Sequence, residues 1–376
     1  MKKEAQTSKY QLIWHFIEQA KKEAVDKVIG DHLEEIEKKL KVTLSYEIMG
    51  EAQVVFLVIS EKISGHKLLQ GLCKQLNKIF SEQETLAELQ QAVLNDKHWM
   101  ILTPPKTLSE SVRLQKLFHG IRETYYYDVK HIYGPDRHTL EKKMKERKIG
   151  ILDWGEKVFL LDEAALMKPI NLNCMACTSK YDFGCCCGSP CNYSSKNLKT
   201  FKAHEKEIIN ELKRIEPAYY EAIQNKFCKE ESFGEVELVG FDGTVGECEG
   251  RCMLLVREEG FGKCLAHKYA LEHQIPIYTI SPLSCLMFPF EVIEMITDKN
   301  KRIFLLTGVV EDELAESIGR WGSYKRLEIP LACTDIGLCD EHFKKVDYQP
   351  VYEVNKGLII HEFGPMLYEG LALSLK

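Results

Sequence analysis

The first 173 residues of this chain contain one cysteine, Cys73, and none of the short motifs that are typical of a nucleotide or hydrolase site. That region has no G-x-G-x-x-G, no P-loop, no G-x-S-x-G and no H-E-x-x-H. It also shows no repeat of fixed period. The N-terminal part of the sequence therefore indicates a fold but no activity.

The chain also lacks an apolar run long enough to cross a membrane, and M-K-K-E-A-Q-T-S-K-Y leads into no secretory hydrophobic region. We therefore expect a cytoplasmic protein without a membrane partner.

The sequence also lacks an excess of basic residues, because 50 Lys and Arg stand against 56 Asp and Glu, for a net charge of -6. This balance argues against nucleic acid as a partner. We expect Tyr125, Tyr126 and Tyr127 on a half-buried strand or helix end.

A chain of 376 residues, with 45% hydrophobic and 28% charged residues, is long enough for two globular domains. We predict an α+β protein, with a mixed α/β domain of unknown role over 1–168 and an irregular, β-containing, cysteine-rich metal-binding domain over 169–376. The boundary falls where Pro169 breaks the pattern. A protein partner, if there is one, is expected to use the N-terminal domain.

Apolar spacing predicts one amphipathic helix from Tyr10 to Leu40, interrupted near Gly30. Alternating apolar residues predict two hairpins, over 43–60 and around Gly155. In the C-terminal half the pattern predicts a long helix bent before Pro217, the strands V-E-L-V-G-F and C-M-L-L-V-R, and a helix after Pro365.

The other thirteen cysteines fall between Cys174 and Cys339. In a reducing compartment, clustered thiols are more often metal ligands or redox groups than disulfides. Cys228 lies on a helical pattern and is expected, like Cys73, to be an ordinary core or surface thiol. The candidate metal ligands form a compact loop set and a dispersed set: Cys174, Cys177, Cys185, Cys186, Cys187 and Cys191, then Cys248, Cys252, Cys264, Cys285, Cys333 and Cys339.

The spacing of these cysteines suits metal ions. A C-x-x-C turn presents two thiolates to one ion, whereas three consecutive cysteines cannot all face the same ion without strain. The choice among Cys185, Cys186, Cys187 and Cys191 therefore stays open. A predicted hairpin brings Cys252 near Cys264, and Cys285 lies in an irregular turn between two prolines. The candidates suffice for two or three ions, or for an iron–sulfur cluster with a companion site.

The C-x-x-C, the C-C-C run, C-M-L-L-V-R-E-E-G-F-G-K-C-L-A-H-K-Y-A-L-E-H and S-P-L-S-C-L-M-F-P-F together resemble the bacterial zinc- or iron-chelating cysteine-cluster proteins, the YkgJ-like group. The order of elements is most similar to its eight-cysteine branch of unknown function, over about residues 174–339. This chain departs from the pattern by its third consecutive cysteine, by Cys191, and by Ser281 where a basic residue is frequent. The resemblance implies as ligands Cys174, Cys177, Cys186, Cys252, Cys264 and Cys285, closed by a cysteine near Cys333 or Cys339.

These features predict a metal-binding protein in which zinc or iron has a structural or chelating role. The alternative is an iron–sulfur enzyme for redox or methyl-transfer chemistry, by analogy with the flagellin lysine methylases. A metallochaperone for Cu(I) is a third hypothesis.

No acid–base or nucleophile constellation is visible, so catalytic residues stay unassigned. We expect His267 to cap a helix or face solvent. If the cysteines share one centre, the dispersed set must converge on the loop set.

Overall fold

A computed structural model of the chain describes residues 8–15, 19–49, 53–60, 63–174, 191–227, 236–258, 261–308 and 332–375. These residues form both helices and strands, which confirms the predicted α+β class. No helix among them is long and apolar enough to cross a membrane. Four of the predicted ligands lie outside the described residues: Cys177, Cys185, Cys186 and Cys187.

Ten strands form one large sheet in the order β2-β3-β1-β4-β7-β8-β15-β14-β5-β6. Neighbouring strands are antiparallel except β8 and β15, which run parallel with Val158 opposite Ile303. The strands are β1 Ser8–His15, β2 Thr43–Met49, β3 Gln53–Ser60, β4 Trp99–Lys106, β5 Ile121–Tyr126, β6 Val129–Tyr133, β7 Ile149–Trp154, β8 Lys157–Asp162, β14 Phe290–Thr297 and β15 Arg302–Gly308.

Helices cover both faces of this sheet, and its inner strands are therefore apolar on both sides. One face carries five helices from the N-terminal half: α1 Lys22–Leu40, α2 Gly65–Ser81, α3 Leu89–Leu94, α4 Val112–His119 and α5 Arg137–Met144. The other face is covered by three helices from the C-terminal end: α12 Val351–Val354, α13 Lys356–Phe363 and α14 Pro365–Ser374.

The sheet takes strands from both sides of the boundary predicted at residue 168. Strands β14 and β15 lie between β8 and β5, and α12 to α14 pack on strands of the N-terminal half. A buried polar contact joins the two parts, because Asp162 at the end of β8 accepts a hydrogen bond from Thr307 Oγ1 at 2.6 Å. The division into two domains stays a prediction.

The described residues of 191–287 form a lobe with a hydrophobic core of its own, and Leu283 and Met287 at its end pack in the core of the large sheet. Helix α7 ends at Ile215 and α8 begins at Pro217, which confirms the predicted bend, because proline has no N–H to continue a helix. The elements of the lobe are α7 Ser195–Ile215, α8 Pro217–Phe227, β10 Glu247–Cys248, β11 Arg251–Cys252, β12 Leu255–Glu258, β13 Phe261–Cys264, α9 Leu265–Glu272, α10 Ile277–Ile280 and α11 Leu283–Met287. The remaining elements are α6 Glu163–Leu166, β9 Pro169–Ile170 and β16 Gln349–Pro350.

The prediction of one helix from Tyr10 to Leu40 is wrong, because residues 8–15 form β1 and the helix begins at Lys22. Leu12, Ile13 and Trp14 are all fully buried, since β1 is an inner strand with both faces covered. A strand that is buried on both faces lacks the period-two alternation that predicts a strand. Because this run is also followed by a true helix, its apolar spacing favours one continuous helix. Helix α1 also continues through Gly30 without interruption.

Two predictions in the C-terminal half also need correction. The stretch V-E-L-V-G-F forms no regular strand; it ends in a turn closed by an isolated bridge between Val239 and Val245. Cys285 does not lie in an irregular turn but on the single-turn helix α11, whose first turn includes a hydrogen bond from Cys285 N to Pro282 O at 3.1 Å. The predicted hairpin that ends at Cys264 is present, with Leu255 opposite Cys264, but it does not include Cys252, which lies on β11 opposite Glu247.

Candidate metal centre

Four cysteines from separate elements of the lobe border the same hydrophobic core, and we refer to them as the centre cysteines: Cys191, Cys252, Cys264 and Cys285. Cys191 precedes α7, Cys252 ends β11, Cys264 ends β13, and Cys285 lies on α11. The Sγ atoms of Cys191 and Cys285 are 3.1 Å apart. Cys191 is buried and the other three are half-buried.

Backbone hydrogen bonds bring Cys191 and Cys285 together. Asn192, which follows Cys191, donates its N–H to Ser284 Oγ and accepts from Ser284 N, both at 3.2 Å. Cys191 O in turn accepts from Val245 N at 2.8 Å. These bonds fix the segment before α7 against α11, so the two thiols face each other.

A tight turn and a buried tyrosine position Cys252. Glu249 and Gly250 both have positive φ, at 52° and 75°, as the two-residue turn between β10 and β11 requires. The hydroxyl of Tyr219 lies 3.2 to 3.3 Å from the carbonyl oxygens of Cys248, Arg251 and Cys252, and it can donate to one of them at a time. The Arg251 guanidinium stacks on the Tyr219 ring, with Cζ 3.4 Å from the centroid. This short ribbon is therefore fixed by side chains rather than by strand length.

The same four sulfurs influence two titrating groups. The pKa of Cys285 is raised well above its usual value, first by the hydrogen bond with Cys191, then by burial and by negative charge on Cys191, Cys252 and Cys264. The pKa of Tyr193 is also raised well above its usual value, first by burial and then by charge on all four centre cysteines. Charge on the same four thiols therefore acts on the Tyr193 hydroxyl.

Tyr193 is buried, with 6% of the residue exposed. Within the described part of the chain, its Oη has no hydrogen-bond partner. A buried hydroxyl without a partner costs about 1 to 3 kcal/mol, so such groups are rare unless they serve a ligand or a water. A thiolate is a hydrogen-bond acceptor, and a metal-bound sulfur would satisfy Tyr193.

The chemistry of this donor set suits a thiophilic cation better than a disulfide. The Sγ atoms of Cys191 and Cys285 form no disulfide, because 3.1 Å is well beyond the sulfur–sulfur bond of about 2.05 Å. Tetrahedral zinc, with Zn–S bonds of about 2.3 Å, places its sulfurs about 3.8 Å apart, so Cys191 and Cys285 would have to separate by about 0.7 Å. No group of three or more His, Cys, Asp or Glu among the described residues is already arranged to hold a metal. Small side-chain rotations would therefore accompany binding.

Of the other predicted ligands in the described residues, Cys248 belongs to the same hydrophobic core, whereas Cys174, Cys333 and Cys339 lie on other segments. Cys248 is buried in β10, and its pKa is raised first by burial and then by Glu249, not by another thiol. Cys174, Cys333 and Cys339 lie where residues 171–174 meet the segment 332–343. Charge on Cys333 and Cys339 acts on Tyr348, whereas the thiols that act on Cys285 and Tyr193 are the centre cysteines.

Sequence reasoning missed Tyr193 and Tyr219, because no local pattern marks a tyrosine that faces sulfur or closes a ribbon. The expectation that His267 faces solvent or caps a helix is wrong, since its Nε2 is inaccessible and has no partner among the described residues. Burial lowers the pKa of His267 to about 4, and no thiol contributes to that shift. His267 is half-buried as a residue, and the lowered pKa favours the neutral imidazole.

No protein-family model, no curated protein and no solved structure matches this chain. The likeness to the YkgJ-like group stays a prediction that rests on the cysteine spacing.

Tyr219→Phe is expected to loosen the ribbon that carries Cys252. Loss of the hydroxyl removes one buried hydrogen bond, which lowers the free energy of unfolding by about 1 to 2 kcal/mol. The hydrogen bond from Tyr219 orients Cys252 without contacting the metal itself. Loss of such an outer contact should lower the metal affinity about 10- to 100-fold. Competition with a chromophoric zinc chelator measures the affinity, and Tyr220→Phe on the same helix is the matched control. Equal affinities for the two variants would contradict the positioning role.

Proposed function

We propose that this chain is a metal-binding protein whose centre cysteines, Cys191, Cys252, Cys264 and Cys285, hold a zinc or iron ion in a structural role. The observation that carries the proposal is the convergence of four thiols from four elements on one buried hydroxyl, that of Tyr193, which lacks a partner among the described residues.

Charge supports a bound cation. Thiols must lose their protons to act as ligands, and ionised sulfurs this close repel one another. The pKa of Cys285 is raised first by the hydrogen bond with Cys191, then by burial, and then by this repulsion. A divalent cation would offset the burial and the repulsion, as metal ions do for coordinating thiols in other sites. The thiols of the centre are therefore poorly suited to the ionised state unless a metal accompanies them.

A structural role follows from the number and origin of the ligands. Four protein thiolates close a tetrahedral site and leave no position for substrate, which is the pattern of structural zinc. Cys252 and Cys264 lie on ribbons of two to four residues per strand, Cys285 lies on a single-turn helix, and Cys191 lies in the irregular segment before α7. Such short elements need a crosslink, and a metal bound by all four would supply it.

The test is to purify the protein anaerobically, record its visible spectrum, and quantify zinc, iron, copper and acid-labile sulfide. We expect zinc or iron bound at a fixed ratio to the chain, with that metal reduced in Cys285→Ser and unchanged in Cys73→Ser. Four thiolates also suit an iron–sulfur cluster, so a charge-transfer band with stoichiometric sulfide would favour the enzyme hypothesis instead. A wild-type protein without metal, or a Cys285→Ser protein with the full content, would refute the proposal.

A further inference from the structure

The sulfurs of Cys191 and Cys285 are in direct contact, and we refer to these two residues as the thiol pair. Their Sγ atoms are 3.1 Å apart, and the Cys285 thiol donates a hydrogen bond to Cys191 Sγ. Two sulfurs on one tetrahedral zinc lie about 3.8 Å apart, whereas a disulfide joins them at about 2.05 Å. The observed separation lies between these two values, so small side-chain rotations lead from it to either state.

The fold holds the thiol pair together although its members are 94 positions apart in the chain. Asn192 N donates to Ser284 Oγ, and Ser284 N donates to Asn192 O, both at 3.2 Å. Cys285 N donates to Pro282 O at 3.1 Å within α11. The entropy of closing this long loop is therefore already lost on folding, and it does not oppose a bond between the two sulfurs.

The other two centre cysteines face different residues across their ribbons. Cys252 on β11 lies opposite Glu247, and Cys264 on β13 lies opposite Leu255. The ribbons therefore offer neither of them a disulfide partner, in contrast to the thiol pair.

The two members of the thiol pair differ in exposure. Cys285 is half-buried as a residue, whereas Cys191 is buried, with 5% of the residue exposed. A small oxidant from solvent therefore meets Cys285 first, and Cys191 lies in contact behind it.

We infer that Cys191 and Cys285 form a reversible disulfide when a hydroperoxide oxidises them, and that this disulfide releases the metal of the centre. The inference rests on the proposed function, because it concerns the regulation of the same site. A metal ligand has to be a deprotonated thiolate, which a disulfide sulfur is not. Only Cys252 and Cys264 would then remain of the four thiolates that close the tetrahedral site.

The oxidation passes two electrons from the thiol pair to the peroxide. In the first step the Cys285 sulfur bonds to one peroxide oxygen and the O–O bond breaks, which gives a sulfenic acid and one water. In the second step the Cys191 sulfur attacks the Cys285 sulfur, the S–O bond breaks, and the hydroxyl leaves as a second water. The two thiol protons end in these waters, and solvent supplies them where the thiolates were bound to metal.

The disulfide would also replace the crosslink that the metal supplied. It would join the segment before α7 covalently to α11, and a crosslink across a long loop stabilises a fold by restricting the unfolded chain. The oxidised lobe should therefore stay folded without its metal, whereas the reduced lobe without metal has neither crosslink.

The test uses the anaerobically purified wild-type protein, treated with hydrogen peroxide in the presence of a chromophoric chelator that reports released metal. We expect metal affinity to fall by at least about 100-fold, beyond the effect of losing an outer contact, and dithiothreitol to restore binding. Non-reducing digestion and mass spectrometry should find a peptide that joins Cys191 to Cys285. That peptide has to be sequenced, because residues 185–191 contain four cysteines.

Cys264→Ser is the matched control, because it removes another centre cysteine and keeps the thiol pair. We expect the same crosslink in this variant as in the wild type. If peroxide leaves Cys191 and Cys285 unlinked, joins them to other cysteines, or leaves the metal bound, the inference is overturned and the proposed function stands. A wild-type protein that holds no metal before peroxide is added would refute the proposed function, and with it the release.

Discussion

Replacing Cys285 by serine is expected to unfold the lobe of residues 191–287 while the ten-stranded sheet remains folded. The lobe has its own hydrophobic core, but its β-structure consists of isolated two-stranded ribbons. Such ribbons are at best marginally stable alone. Structural zinc contributes about 10 to 16 kcal/mol in finger-type sites, so weakening the site should cost the lobe on the order of 5 kcal/mol or more.

Hydrogen exchange measured by mass spectrometry would locate the effect. We expect backbone amides in β10 to β13 and α9 to lose protection, and those of β4, β7 and β8 to retain it. Cys73→Ala is the matched control, because Cys73 is a half-buried thiol on α2 that packs against a different core. Unchanged protection of the lobe in Cys285→Ser, or the same loss in Cys73→Ala, would contradict a structural metal at the centre.

Arg147→Met is expected to lower the free energy of unfolding of the large sheet by about 3 to 5 kcal/mol, because it leaves a buried carboxylate without its cationic partner. Asp162 is fully buried, and its Oδ2 accepts from Arg147 Nε at 2.7 Å and from Thr307 Oγ1 at 2.6 Å. Thr307 lies on β15 and Asp162 ends β8, so this carboxylate connects the two strands of the parallel pair.

Urea denaturation measures the loss, and a second variant assigns it to the charge. In Arg147→Met/Asp162→Asn the buried charge is absent, so most of the lost stability should return, with a coupling energy that a double-mutant cycle reports. Arg214→Met is the control, because Arg214 pairs with Glu211 on the surface of α7 and such pairs contribute about 1 kcal/mol or less. A loss in Arg147→Met no larger than in Arg214→Met would show that the buried pair is not important.

The contact between Asp162 and Thr307 joins strands that are far apart in the chain, and for this reason the strand order could not be predicted from the sequence. The hairpins over 43–60 and around Gly155 were predictable, because their strands are neighbours in the chain and Gly155 supplies the positive φ of the turn. The position of β14 and β15 between β8 and β5 was not predictable. It depends on which strands are still unpaired after the N-terminal strands have paired with one another.

The candidate site likewise has a part that the sequence predicts and a part that it does not. The resemblance implied Cys186 in the loop set, and the choice among Cys185, Cys186, Cys187 and Cys191 stayed open. Among the described residues Cys191 lies against Cys285, whereas Cys186 lies outside them. The implied closing ligand near Cys333 or Cys339 lies beside Tyr348, away from the centre cysteines. Residue spacing reports which cysteines can share a turn, but it carries no information on which turns meet.

By itself the sequence determined the α+β class, the short-range hairpins, the break at Pro217 and the concentration of thiols after residue 173, since each depends on residues close together in the chain. Only the tertiary structure decided that residues 8–15 form an inner strand, that Cys191 meets Cys285 from 94 positions away, and that Tyr193 faces the centre without a partner among the described residues. The reason is physical: contacts between distant segments are selected by the packing of whole elements and by chain closure, which no local pattern records.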